Sequence, residues 1–220
     1  MDSTATPHAT PFADGEVRNS GPNRSDTLSE LQWNTLESST EFACRIFTIE
    51  RHQRSNRHRR GDFYVLTADA WCNIIPITVA GEVVMVEQFR HGTQDITLEI
   101  PGGIVDPEDE STLAAARREM LEECGYDSTH IEPLGFVHPN PAILNNTCHS
   151  FVAYDAWPAA AQRPDDLEEL RIRHVPLTAV PSLILNGSIS HALVVSAFAQ
   201  LFLQRSDLVM PSMSHKPGIA

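Results

Sequence analysis

Residues 101–126, PGGIVDPEDESTLAAARREMLEECGY, limit more than any other segment what this chain can fold into. Its core, Arg118-Glu119-Met120-Leu121-Glu122-Glu123, sets carboxylates at i, i+3 and i+4, so all three share one face of a helix. Like charges at that spacing cost about 0.2–0.5 kcal/mol per pair. Gly125 reads as the helix stop, which puts the acids in the last turn, where the macrodipole already disfavours negative charge. Taken alone, such a cluster is more often a solvated acidic face. A cation that belongs with it is the alternative. Carboxylate oxygens without thiolate or imidazole partners favour hard ions, Mg²⁺ or Mn²⁺, which also bridge to phosphate.

The surroundings favour the cation. A strand-like run at 96–100 leads into Pro101-Gly102-Gly103, and two residues without a Cβ let backbone come close to a ligand. An acidic loop and the Glu-bearing helix follow. This order and spacing resemble the Nudix box, G-x5-E-x7-R-E-U-x-E-E-x-G-U with U aliphatic, the mark of hydrolases of nucleoside diphosphates linked to another moiety. Gly103 matches the first glycine, Arg118-Glu119 the R-E, Met120 the first aliphatic position, Glu122-Glu123 the E-E and Gly125 the last glycine. Tyr126 departs from the final aliphatic position. The loop 106–110 carries one extra residue: counting back from Arg118 puts the early acid at Glu110, counting forward from Gly103 puts it at Asp109. Glu110 keeps its spacing to the helix and is the expected partner of Arg118.

Composition narrows the class. A chain of 220 residues with 41% hydrophobic content can bury one core of ordinary size, and a net charge of −13 argues against general nucleic-acid binding. The four cysteines, Cys44, Cys72, Cys124 and Cys148, show no CxxC spacing and read as reduced, mostly buried residues of a cytoplasmic protein. No apolar run reaches membrane-spanning length, and no hydrophobic signal core opens the chain.

Along the chain, residues 1–32 are polar and read as a disordered or loosely attached arm. The expected domain spans 33–204, and 205–220 reads as a loose tail. Strands are expected at 42–51 and 62–66 around the polar turn 56–61, then at 71–78 and 82–89 around Ala80-Gly81. Further strands fall at 132–137, 149–154 and 170–175. Helices close the chain at 177–185, before Asn186-Gly187, and at 190–204, whose Leu193, Val194, Ala197, Phe198, Leu201 and Phe202 form one stripe.

Strands in a run, one acidic helix, more strands and terminal helices suit a mixed sheet between helices. That pattern is similar to the Nudix fold, an α/β/α sandwich with a mixed β-sheet, here preceded by an N-terminal β-hairpin. The runs WCNIIPI at 71–77, EQFRHG at 87–92 and HPNP at 138–141 look like the ADP-ribose pyrophosphatase type of Nudix hydrolase, in which a proline follows the box as Pro141 does here.

The resemblance implies a division of labour. Glu119 and Glu123 are the first candidates as metal ligands, with Glu122 third or through water and the Gly102 carbonyl completing the shell. Arg118 pairs with the early acid and anchors the loop. A base for water is implied in the acidic loop 164–170, at Glu168 or Glu169. Arg90 is implied as a contact to the diphosphate or terminal ribose, since guanidinium binds phosphate bidentately. Gly103 brings backbone to the substrate, and Trp71 either stacks on a base or serves the core. Arg51 heads a cluster with Arg54, Arg57, Arg59 and Arg60 that is a soluble hairpin tip, a steering patch across a dimer interface or an RNA contact. His138, His149 and His191 read as structural. The implied activity splits ADP-ribose or a similar nucleotide sugar into two monophosphates, in a homodimer. The competing reading is a non-catalytic sensor of the same ligand, disfavoured because every box glutamate is present.

Overall fold

The computed structural model describes residues 30–164 and 167–208. Most of the expected arm and tail lies outside them. At the C-terminal end, Arg205 stacks over Tyr154 and Leu208 packs against the core, so the folded unit runs past 204.

The chain opens with an antiparallel three-stranded sheet, β1 (Asn34–Ala43), β2 (Thr48–Asn56) and β3 (Arg59–Thr67). The expected hairpin is therefore a meander. The alternating run 42–51 is broken at residues 44–47, where the Cys44 N–H donates to the Phe47 carbonyl at 3.0 Å. β1 itself, NTLESSTEFA, is mostly polar and exposed, and its extended state comes from pairing with β2 rather than from an apolar face.

The second sheet is mixed. It comprises β4 (Trp71–Thr78), β5 (Glu82–Arg90), β6 (Asp95–Glu99), β7 (Gly102–Ile104), β8 (Tyr126–Asp127), β9 (His130–Val137), β10 (Cys148–Pro158) and β11 (Leu170–Pro176). Its main path runs β11-β5-β4-β10-β8, with β6 on β5, β7 on β4 and β9 on β10. β10 lies parallel to β4, while the other pairings are antiparallel. The segment after Pro101, expected as a loop, is the short strand β7, registered through Gly102 on Asn73 and Gly103 on Cys72.

Strand alternation divides the core in two. Val84 and Val86 of β5 join Cys72, Ile74, Phe151 and Ala153 under α1 (Thr112–Cys124), against Ala115, Ala116, Met120 and Cys124. Val83 and Met85 turn to the opposite face with Ile75, Ile77 and Val152. There they meet Val180 of α2 (Val180–Leu185) and Val194, Ala197, Phe198 and Leu201 of α3 (Ala192–Gln204). The result is the α/β/α sandwich read from the sequence. Each fully buried Val, Ile, Leu or Phe contributes about 1.5–3 kcal/mol, so truncating Phe198 would cost about 3–5 kcal/mol. Among the described residues, no helix is long and apolar enough to cross a membrane.

Candidate active site

α1 delivers its acids because both ends are well closed. Ser111 caps the start, its Oγ accepting from the Ala114 N–H at 3.1 Å. Gly125 closes the end in the left-handed conformation, φ 69°, and donates its N–H to the Leu121 carbonyl at 2.9 Å. Glu123 lies one turn beyond Met120 and is drawn into the packed face, with 4% exposure. Its Oε2 accepts the Gly102 N–H at 2.9 Å, which ties helix to strand. The Glu119 side chain is 13% exposed, while that of Glu122 sits at the rim with 42%.

The two glycines of β7 are required by approach, not by dihedral. A Cβ at Gly102 would lie 2.8 Å from the Asn73 Cα, and one at Gly103 would lie 2.7 Å from the Glu119 Cδ. Any side chain there would push β7 away from β4 or displace the acid.

Burial dominates the charges. Desolvation lifts the Glu119 carboxyl to about 7, with Arg118 pulling the other way, and lifts Glu123 well above the usual carboxylate range. Arg118 holds the cluster together. Its Nε and Nη2 reach Asp109 at 3.1 and 2.9 Å, Nη2 reaches the Ile104 carbonyl at 3.1 Å, and Nη1 bridges Glu119 and Glu122 at 2.9 Å each. The expected partner Glu110 is thus replaced by Asp109. The extra loop residue is absorbed after the acid, not before it: a turn with the Asp109 N–H on the Asp106 carbonyl at 3.0 Å carries Asp109 under the guanidinium. Glu110 then falls immediately before the cap Ser111 and faces the groove along the outer side of α1, beside Arg117.

The donor set fits a hard divalent ion. Glu123 is a buried oxygen donor and Glu119 a nearly buried one; Arg118 contacts Glu119 and Glu122 but not Glu123, and no thiolate competes, since the Cys72 and Cys124 thiols are pushed up to about 12, chiefly by burial. Among the described residues, no three His, Cys, Asp or Glu side chains converge at ligand spacing, and Arg118 bridges Glu119 and Glu122.

A cavity of about 270 Å³ opens beside the glycines, lined by Trp71, Asn73, Arg90, Glu99, Gly102, Gly103 and His191 among others. Trp71 is half-buried at its wall. Arg90 enters from the end of β5, gripped by Glu99 through Nε–Oε1 and Nη2–Oε2 contacts of 2.7 Å. Arg51 lies elsewhere. It pairs with Glu41 at 3.0 Å and Asp62 at 3.5 Å on the three-stranded sheet and does not line the cavity of its own chain.

The loop before β11 is fastened to the end of α1. The Arg163 N–H donates to the Glu122 carbonyl at 2.8 Å, and the Ala159 and Ala160 N–H groups donate to Gly125 at 2.8 and 3.0 Å, satisfying carbonyls at and just beyond the helix terminus. Beyond that anchor the negative field of Glu168 reaches Glu119, Glu123 and Arg90. Glu169, one residue on, is exposed. Residues 165–166 of the acidic loop lie outside the described residues.

Sequence reasoning weighed Asp109 but preferred Glu110 as the anchor, read His191 as structural, and overlooked Glu99. One signal was available for Glu99: alternation in β6 puts Thr97 and Glu99 on one face, an unusual polar pair leading into a buried Ile100.

Together the sandwich, the glycine strand and the acidic helix define a Nudix-type architecture. The NUDIX domain family model matches residues 69–198, more than half of the chain, and the chain belongs to that family of hydrolases. It is 29% identical over 177 residues to the "ADP compounds hydrolase NudE" of Escherichia coli (strain K12), covering 79% of this chain and 91% of the relative. It is 25% identical over 135 residues to an "ADP-ribose pyrophosphatase" of Bacillus subtilis (strain 168), covering 61% and 71%. A crystal structure of an ADP compounds hydrolase superposes with a TM-score of 0.72 at 23% identity, covering 80% of this chain and 95% of that one.

Proposed function

We propose that this chain is a divalent-metal-dependent pyrophosphatase that hydrolyses a nucleoside diphosphate linked to a sugar, ADP-ribose or a similar nucleotide sugar, into two monophosphates. The observation that carries this reading is the meeting of buried Glu119 and Glu123 with the backbone of Gly102 and Gly103, at the mouth of a cavity that Arg90 enters. The names borne by the relatives above support the substrate class.

Glu119, Glu123 and the Gly102 carbonyl, with Glu122 at the rim, would hold Mg²⁺ or Mn²⁺. Such an ion, when bound, neutralises diphosphate charge and lowers the pKa of a water. Glu168 accepts the proton of the water that attacks phosphorus, while the bridging P–O bond breaks and the second monophosphate leaves. Its field on both buried acids favours it over the exposed Glu169. Arg90 binds the anionic part of the substrate, Gly103 brings main chain alongside it, and Trp71 offers an aromatic wall to a base. Arg118 and Asp109 lock the loop and helix that carry the acids.

The exposed apolar side chains of the three-stranded sheet, Leu36, Phe42 and Tyr64 among them, support a homodimer in which that sheet, with Arg51, completes the other subunit's site. Free thiols, three of them buried and Cys44 exposed, suit a reducing compartment, and we place the enzyme in the cytoplasm. Product analysis with ADP-ribose, GDP-mannose and dinucleotides, with and without Mg²⁺, tests the reading on wild type and Glu123→Gln. Turnover that needs the ion and is lost in the variant is expected. Tight binding without turnover on every substrate would favour the sensor instead.

A further inference from the structure

Arg90 stands between two anionic sinks. On one side is Glu99, 2% exposed and clamped on the guanidinium through both oxygens at 2.7 Å. On the other are Glu123 and Glu168, whose fields also reach it. A buried carboxylate is costly to desolvate unless its lone pairs are filled, and breaking such a pair leaves an uncompensated charge. Here they are filled by more than the arginine. Thr97 donates its Oγ1–H to Glu99 Oε1 at 2.5 Å; His191 Nδ1, buried and without a hydrogen-bond partner, lies 3.7 Å from Oε2, beyond hydrogen-bond distance.

The arrangement is directional. With Nε and Nη2 spent on Glu99, Nη1 is the guanidinium nitrogen without a partner among the described residues, and the arginine side chain is 41% exposed where it lines the cavity. Were Glu99 neutral, the other acids whose charge reaches the guanidinium, Glu123 and Glu168, could capture it. An arginine paired there would neutralise groups that the hydrolase reading needs as anions.

We infer that Glu99 is a positioning residue: it holds Arg90 across the cavity mouth with one edge free for the substrate's anionic group, and keeps it from collapsing onto Glu123 and Glu168. Thr97 and His191 shape the cradle that lets a fully buried carboxylate do this. The inference rests on the hydrolase reading and names a residue that reading does not use.

The test is a mutant cycle on the full chain: wild type, Glu99→Gln, Arg90→Ala and the double variant, each assayed with ADP-ribose plus Mg²⁺, titrated calorimetrically with ADP and melted thermally. Glu99→Gln should raise KM for ADP-ribose and Kd for ADP about tenfold, with kcat moving less than about threefold, and the double variant should be no worse than Arg90→Ala alone. Arg90→Lys keeps the charge but cannot take both Glu99 oxygens in plane, so it should lose nearly as much as Arg90→Ala. Because Arg90 is half-exposed, this variant reports even if Glu99→Gln folds poorly. Effects of Glu99→Gln and Arg90→Ala that multiply in the double variant, or a wild-type KM in Arg90→Lys, overturn the positioning role while leaving the enzyme reading intact. A wild-type chain that neither hydrolyses ADP-ribose nor binds ADP overturns both.

Discussion

Asp109 grips Arg118 in a two-point contact, Oδ1 to Nε at 3.1 Å and Oδ2 to Nη2 at 2.9 Å, and so joins the loop after β7 to the helix that carries the acids. The Asp109 side chain is 9% exposed, and the guanidinium, which hydrogen-bonds it, holds its carboxyl below the usual range. Replacing it by Asn removes the charged two-point contact and leaves Arg118, which bridges two glutamates, with only the Ile104 carbonyl and the more distant Asp106 on its loop side. Asp109→Asn should cost about 1–3 kcal/mol of stability and lower turnover, whereas Glu110→Gln should stay within about 0.5 kcal/mol of wild type. Denaturant melts of both variants check this, and equal losses would return the anchor to Glu110.

The glycines of β7 should fail in different ways. A Cβ at Gly102 meets the main chain of β4, which cannot step aside, while one at Gly103 meets the end of the Glu119 side chain, which can. Gly102→Ala should therefore be the more destabilising, by about 1–3 kcal/mol as in other overpacked sites. Gly103→Ala should melt closer to wild type yet lose activity by displacing Glu119. Circular-dichroism melts paired with turnover assays separate the two; similar melting temperatures would argue against the backbone clash.

Glu168 and Glu169 differ by one position and by what they face. If Glu168 takes the water's proton, Glu168→Gln should lower kcat by about 10²–10⁴-fold with KM little changed, and Glu169→Gln should remain within a few-fold of wild type. Single-turnover rates decide, and an active Glu168→Gln would remove it as the base.

What the sequence disclosed follows from which forces act locally. α1 and its stop were legible because helix periodicity and Gly125 act over a few residues, and the strands 71–78 and 82–89 because apolar runs flank Ala80-Gly81. β1 was not, since its polar residues become a strand only when β2 offers partners, as in the Ser39–Arg51 register. The anchor of Arg118 was misread because a turn at 106–109 set where the extra residue went, and turn geometry is not visible in a count of residues. The Arg90–Glu99 clamp was missed for another reason: it joins residues on the neighbouring strands β5 and β6, and although Thr97 and Glu99 form an unusual polar pair, nothing in that pair points to Arg90 as its partner.

His191 gives the chain an acid-sensitive element apart from the glutamates. Burial lowers its pKa from the ordinary 6.5, against the pull of Glu99 and with help from the positive charge of Arg90. The folded state therefore binds its proton less readily than the unfolded chain. Above the unfolded value neither state holds the proton and the stability is fully present. As pH falls below about 6.5 the unfolded chain is protonated first, and stability is lost progressively down to the folded value. The raised Glu119 and Glu123 carboxyls act in the opposite sense over the same range, so the His191 contribution is read as a difference: in urea unfolding between about pH 5 and pH 7.5 the midpoint of wild type should fall relative to that of His191→Asn, which cannot titrate, as the pH drops. An unchanged slope in the variant would mean that another group carries the acid sensitivity in that window.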